Sequence, residues 1–302
     1  MNLVVGATLV VGATGLLGRE ICRGLEKWGE PVRALVRPGS PRRREVPGGR
    51  IEIVHGDLRQ PATLEAACRG VTAVISTATC TTFRRKGDTL ETVDRDGQIT
   101  LVNAACGSGV ARFVYVSLDP GLPDSIPFVG YKRQVERAVR ESGMTWTILQ
   151  PGPFMEIHLG PALGWNVEKG TARMVGKGDV PTSYISLHDV VAFALRALYE
   201  PGFENRNLPL AGPAPVSPNE ALAIFEELTG RRFRVRRMPI LMLRGLSAAM
   251  RPFNPVLSSL MGLGAAATGV PAIDMRPVLE EFPAELVSVR DYVERVAGTA
   301  NG

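Results

Sequence analysis

The chain has little of what marks a secreted, metal-dependent or membrane-spanning protein. Of its 302 residues only four are cysteine, Cys22, Cys68, Cys80 and Cys106, widely separated and without a CxxC pair, and the three histidines, His55, His158 and His188, are equally scattered. That spacing excludes a zinc-type ligand set and a disulfide framework, so no metal is expected, and reduced thiols in a cytoplasmic protein fit it best. The apolar N-terminus has no basic region ahead of it, so no secretory signal is read there. Charge is missing from Pro252 to Ile273, but prolines and glycines interrupt the run. A membrane span would be more continuously apolar. A lid or pocket wall is the first reading of that segment, and a surface for a membrane or a protein partner is the second.

What is present is ordinary for a globular enzyme-sized chain: 45% hydrophobic and 22% charged residues, enough to bury one large α/β core with or without a smaller domain. The net charge of +5 suits nucleic acid, an acidic membrane surface or a phosphorylated cofactor, and the cofactor needs the fewest charges. Arg37 and Arg42 to Arg44 fall directly after the second predicted strand, where a nucleotide 2′-phosphate is met. No nucleic-acid partner is expected.

A short duplication opens the chain, Leu3 to Thr8 followed by Leu9 to Thr14, and only the second copy runs on into a glycine loop. The first copy is read as a strand extension or as sequence ahead of the true start. The loop, Gly12-Ala13-Thr14-Gly15-Leu16-Leu17-Gly18, follows an apolar strand at Thr8 to Val11 and opens a helix over Leu16 to Trp28. That context turns a weak pattern into a strong one. Gly12 permits a tight turn, Gly15 lets backbone approach a pyrophosphate, and Gly18 lets the helix pack on the strand, while the helix N-terminus offers unpaired N–H groups to the phosphates.

Further strands are expected at Val32 to Val36, Ile51 to Val54, Ala73 to Ser76, Arg112 to Ser117 and Thr145 to Gln150. Helices are expected at Ala62 to Cys68, Leu90 to Gly107 and Gly130 to Ser142. Alternation of this kind gives a Rossmann-type α/β fold, a doubly wound parallel sheet with its ligand beyond the carboxyl ends of the strands. Residues 1–150 form this domain. Residues 151–302 form a smaller α/β substrate-side region that returns in part to the main sheet, with isolated strands at Tyr184 to Ser186, Leu208 to Leu210 and Phe233 to Arg236 and helices at His188 to Glu200 and Pro218 to Thr229.

The second strand ends Leu35-Val36-Arg37, with an arginine where a carboxylate would receive the ribose of NAD, so NADP is favoured and NAD is the alternative. Gly56-Asp57-Leu58 has the form of an adenine-contacting turn, although an Asx cap explains Asp57 as well. His188-Asp189 sits at a helix start and gives no catalytic triad. Gln134, Glu136, Arg137, Arg140 and Glu141 read as the solvated side of their helix.

These motifs, with Phe113 to Ser117, Lys132, Val135-Glu136 and Thr147-Ile148-Leu149-Gln150-Pro151-Gly152, resemble the atypical short-chain dehydrogenase/reductases of the NmrA-like and isoflavone-reductase-like branch. The resemblance covers roughly the first 200 residues. It implies that Thr77, Ala78 and Thr79 lie along the cofactor and that Ser117 ends its strand beside the nicotinamide. It implies also that Lys132 reaches the nicotinamide ribose or the substrate, and that Pro151, Gly152 and Phe154 pass close to the nicotinamide ring. Lys132 and Ser117 are thus the catalytic candidates. Two departures stand out: the tyrosine usual four residues before the lysine is Phe128, with Tyr131 about 100° away on the helix, and the arginine usual before Pro-Gly is Gln150. Without the tyrosine, proton transfer falls to Lys132, to water or to the substrate. A lysine does this near neutral pH only if burial or a neighbouring cation lowers its pKa.

The reading that follows is an NADPH-dependent oxidoreductase for a small apolar or quinone-like substrate, with Met155, His158, Leu159 and the 252–273 segment as candidate pocket walls. The alternatives are a non-catalytic NAD(P)-binding redox sensor or an assembly factor of a membrane complex. A nucleotide-sugar epimerase fits less well, because Phe128 removes the residue that would deprotonate the sugar.

Overall fold

A computed structural model of the chain describes residues 6–300, so the first half of the first copy of the duplication, Leu3 to Val5, lies outside the described residues. The first half alternates as expected: β1 (Ala7–Val11), α1 (Leu16–Lys27), β2 (Val32–Val36), β3 (Ile51–His55), α2 (Pro61–Cys68), β4 (Val71–Ser76), α3 (Gln98–Gly107), β5 (Arg112–Val116), α4 (Pro127–Glu141) and β6 (Thr145–Pro151). With β8 (Arg206–Leu210) these strands form one sheet in the order β3-β2-β1-β4-β5-β6-β8. The pairs from β3 through β6 are all parallel, with Leu9 beside Arg33 on one side and Val74 on the other. The central strands are covered on both faces and so are apolar over most of their length, whereas the edge strand β3 carries Glu52 and His55. Leu9, Val74, Ile75, Phe113 and Val114 are fully buried. The order reverses between β1 and β4, and that reversal is the crevice in which sheets of this type receive ligands.

The chain divides into two compact units. The first comprises residues 1–117, 127–149 and 191–208, and the second 118–126, 150–190 and 209–302. Helix α6 (Leu187–Tyr199) supplies its later turns to the first unit, where Leu195 closes over Gly24 of α1. The second unit holds α5 (Met155–His158), β7 (Thr171–Val175), α7 (Pro218–Thr229), β9 (Arg234–Met238), α8 (Ile240–Met250), α9 (Pro255–Ala267), α10 (Arg276–Glu281) and α11 (Val289–Ala300). Helix α7 begins with a reciprocal cap between Ser217 and Glu220 and a proline in its first turn, the pattern that satisfies orphan N–H groups.

Several expectations change. The single helix over Leu90 to Gly107 is a π-helical segment, Leu90–Gly97, running into α3. Helix α4 starts at Pro127 rather than Gly130 because a proline is well tolerated in a first turn. Tyr184 to Ser186 is not a strand: Ile185 makes one isolated parallel bridge to Phe154. Strand β9 pairs not with the main sheet but with β7, a strand the sequence reading missed, in a parallel two-stranded sheet. Met155 and Leu159, read as candidate pocket walls, are buried in a cluster with Trp165, Tyr184, Phe225 and Tyr292. The 252–273 segment is largely helix α9, packed on α8. Among the described residues no helix is long and apolar enough to cross a membrane.

Candidate functional site

The glycine loop joins β1 to α1 at the reversal of strand order, and its glycines are fixed by contacts. Gly12 has φ +93°, and a Cβ there would sit 2.6 Å from Thr77 Oγ1 and 2.8 Å from the Ala78 nitrogen. At Gly18 a Cβ would meet the Gly12 carbonyl oxygen at 2.2 Å, so helix and strand approach as closely as backbone allows. Gly15 differs, since its only such neighbour is the same oxygen at 3.1 Å. It is the N-cap of α1, and no side chain caps that end. Leu16, Leu17 and Gly18 therefore start a helix whose first N–H groups have no side-chain acceptor, next to Thr14. This is the geometry that accepts a pyrophosphate. Thr77, Ala78 and Thr79 run along the other wall of the crevice, with the Thr77 N–H donating to the Val11 carbonyl at 2.9 Å and Gln98 Nε2 donating to the Ala78 carbonyl at 2.9 Å.

At the end of β2 the arginine is already engaged. Arg37 Nη1 lies 2.6 Å from Asp88 Oδ2, the Asp88 carboxylate is inaccessible to solvent, and Arg59 Nε approaches its other oxygen at 3.3 Å. Arg37 and Arg42 also flank the Phe83 ring, 5.9 and 5.6 Å from its centroid. Asp57 is buried, and its Oδ1 accepts the backbone N–H of Arg59 at 3.0 Å, the Asx turn weighed against an adenine contact. Burial pushes the Asp57 carboxyl up, but hydrogen bonds from Arg59 outweigh it and hold the group below its ordinary value. Leu58 beside it is buried.

The catalytic candidates meet where α4 packs on the end of β5. Lys132 is 4% exposed. Its Nζ donates to the Val116 carbonyl at 2.8 Å and lies over the Tyr115 ring, 4.8 Å from the centroid, with the Phe128 ring at 5.8 Å. Burial pushes the lysine pKa down against the upward pull of the Asp94 and Glu136 carboxylates, leaving it at about 8. Tyr131 lies elsewhere, beneath Arg95 at 5.1 Å. The Ser117 hydroxyl donates to Glu136 Oε1 at 2.5 Å, and Glu136 also holds Arg133 and Arg140 at 2.6 and 3.2 Å. Glu136 is therefore not on a solvated face. It is 1% exposed and ties α4 to the strand end.

Three further residues were missed. Tyr115 is fully buried with no hydrogen-bond partner for its hydroxyl, and burial raises its phenol well above the ordinary value. Asp94, on the π-helical segment, accepts the Cys80 N–H with one oxygen while the other has no partner. Asp88 is the third. The one sequence signal was a polar atom inside an otherwise apolar stretch, as with the tyrosine of Phe113-Val114-Tyr115-Val116. Such groups are costly to bury and mark sites.

In the second unit, Gly152 has its nitrogen 2.8 Å from the Leu210 carbonyl, and a Cβ there would lie 2.1 Å from the Ser183 carbonyl oxygen. Pro151 and Gly152 are buried, Phe154 is half-buried, and the Phe154 carbonyl caps α5 and faces His158 Nδ1 at 3.2 Å. Burial pushes His158 below its ordinary value. Asp189 lies in the first turn of α6 and accepts the Val287 N–H at 3.1 Å, a structural bond and not part of a triad. Among the described residues no cluster of side chains could hold a metal.

The profile of a family described as NAD(P)H-binding matches residues 12–201. An NAD(P)H azoreductase of Xenophilus azovorans is 36% identical over 228 residues, 75% of either chain. The photosystem II assembly factor Ycf39 of Synechocystis sp. is 28% identical over 304 residues, covering 96% of this chain and 90% of the relative. An NADPH-dependent quinone oxidoreductase from Escherichia coli, solved with NADPH, superposes with a TM-score of 0.75 at 20% identity over 96% of this chain and 99% of the other, a likeness of fold. The profile begins at the first glycine of the crevice, the azoreductase match spans three quarters of both chains, and the uncapped end of α1 has the shape a pyrophosphate needs. The chain accordingly belongs to the NAD(P)H-binding family, and its resemblance to the atypical short-chain dehydrogenase/reductases is borne out.

Proposed function

We propose that this chain is an NADPH-dependent reductase of small apolar or quinone-like acceptors, working in the cytoplasm, with Lys132 as its proton donor. The observation that supports this reading is the buried amine of Lys132. It is held at the carboxyl end of β5 by the Val116 carbonyl, with a pKa of about 8, where a general acid for neutral pH is most effective. The Tyr115 ring beneath it favours the ammonium form. Ser117, with its hydroxyl committed to Glu136, positions the helix against the strand end and does not transfer a proton itself. The Gly12–Gly18 loop would hold the pyrophosphate, and Arg37 and Arg42 around Phe83 the adenosine end with its 2′-phosphate. When bound, the cofactor supplies the hydride.

The test follows NADPH consumption against a panel of quinones, enals, aromatic ketones and azo compounds, in wild type and Lys132→Met at saturating NADPH. A proton-donating lysine leaves the variant about 10² to 10⁴ slower at any occupancy. An anchoring lysine changes cofactor affinity and leaves the saturated rate near wild type. A second reading, a non-catalytic NAD(P)-binding assembly factor, is favoured by Phe128 in the tyrosine position and by the end-to-end likeness to Ycf39. Micromolar NADPH binding with no turnover across the panel decides for it.

A further inference from the structure

Helix α8 is apolar on the side where a surface helix should be polar. At about 100° per residue, Leu243, Ser247 and Met250 share the side turned to α9. Leu243 is buried, and the Ser247 and Ser258 hydroxyls each donate to the other's backbone carbonyl at 2.7 Å. The opposite side carries Leu241, Gly245, Ala248 and Ala249, and Met242 and Leu246 lie on one flank, all exposed, with Leu241 at 79%. The turn that follows adds Phe253 at 81%. A helix with exposed apolar residues on its outer side is a membrane-contacting or partner-contacting one, and α8 packs on α9 by its inner side.

The stretch of sequence that carries this face has charge of one sign. Between residues 228 and 273 there are seven arginines and no aspartate or glutamate. Arg244 and Arg251 are one heptad apart, on the border between the two faces of α8. Both are exposed, and among the described residues no ion pair involves either, whereas Arg232 is paired with Glu226. Upstream, Arg234 and Arg236 of β9 and Arg173 of β7 line a cavity of about 300 Å³ with no acidic side chain in its wall. Two copies meeting through this face would bring cation against cation, which disfavours self-association. An anionic bilayer is complementary on both counts. Its acyl boundary accepts the leucines and Phe253, and its headgroups accept arginines that border the apolar face and reach upward. With 11 residues, about 16 Å long, α8 cannot span a hydrocarbon core of about 30 Å and so would lie in the plane of the interface.

We propose that the α8 face and the Arg251–Asn254 turn form an interfacial docking surface for membranes rich in anionic lipid. The proposal holds whether or not the chain is a reductase. The test is flotation of the full-length chain with vesicles of phosphatidylcholine alone and of phosphatidylcholine mixed with phosphatidylglycerol, at low and high salt. Wild type should float with the anionic vesicles, and less so in high salt. The double variant Leu241→Asp/Phe253→Asp should lose binding about tenfold or more, and Arg244→Gln/Arg251→Gln should lose about tenfold on anionic vesicles only. NADPH affinity should be unchanged in both, which shows that the fold is intact. Wild type staying at the bottom with both vesicles overturns the proposal, as does equal flotation of all variants. Light scattering that shows a dimer dispersed by Leu241→Asp/Phe253→Asp, without flotation, assigns the face to a second copy instead.

Discussion

A missing Cβ has a different meaning at each glycine of the loop. At Gly18 it makes room for backbone, so Gly18→Ala forces α1 off β1 and should lower Tm by several degrees, with unfolding monitored by circular dichroism. At Gly15 the space is open except for one oxygen at 3.1 Å. Gly15→Val should therefore leave Tm within a few degrees of wild type and abolish NADPH binding by calorimetry, because its methyls occupy the approach to the helix N-terminus. Unchanged affinity in a folded Gly15→Val protein overturns this assignment of the loop. Lys132 carries a pH signature. Its acid form predominates below its pKa of about 8, so kcat/KM should fall as pH rises through that value, and Lys132→Met should lack the limb. Stability moves the other way. The unfolded chain keeps this proton up to about 10.5, so it binds more protons between the two values and stability rises with pH there, by about 3 kcal/mol at most. The rise should be absent from denaturation curves of Lys132→Met. Arg37 shares its guanidinium with Asp88, so Asp88→Asn should strengthen NADPH binding relative to NADH, while Arg37→Asp should reverse the preference. Equal affinity of wild type for both cofactors would remove Arg37 from the selectivity argument.

Among the elements, the β7–β9 pair shows what a short polar ladder costs. Its parallel register sets Arg173 directly beside Arg236 and Thr171 beside Arg234 on the outward face, and Ala172 beside Val235 on the inward one. Like charges directly opposite are unfavourable by a few tenths of a kcal/mol to about 1 kcal/mol. Arg236→Glu should thus raise Tm by one to a few degrees while reducing flotation with anionic vesicles, a stability gain at the expense of the docking charge. A fall in Tm would show that the arginines are held by favourable contacts. Neither β7 nor this pairing was legible in the sequence. Thr-Ala-Arg-Met-Val has only two alternating polar positions, Thr171 and Arg173, and the glycines that bound it, Gly170 and Gly176, mark a loop as readily as strand ends, while pairing across some sixty residues leaves no local trace. The first six strands were legible because burial on both faces of a parallel sheet demands continuous β-branched and apolar runs.

For the molecule as a whole, ligand binding to the native state alone stabilises it by mass action. Saturating NADPH at about a hundred times its Kd should add about 2.7 kcal/mol, visible as a rise in Tm that Gly15→Val abolishes. The sequence by itself determined the Rossmann sheet, the position of its phosphate loop and the place of Lys132 on a helix. Each rests on local signals: apolar runs, three glycines at fixed spacing, and a lysine one turn after a ring. It could not show that Glu136 is buried under Ser117, that Asp88 occupies Arg37, or that Tyr115 and Asp94 surround the lysine. Those facts depend on which side of each helix turns inward and on side chains far apart in the chain. Burial of charge is a property of packing, and only the tertiary structure decides it.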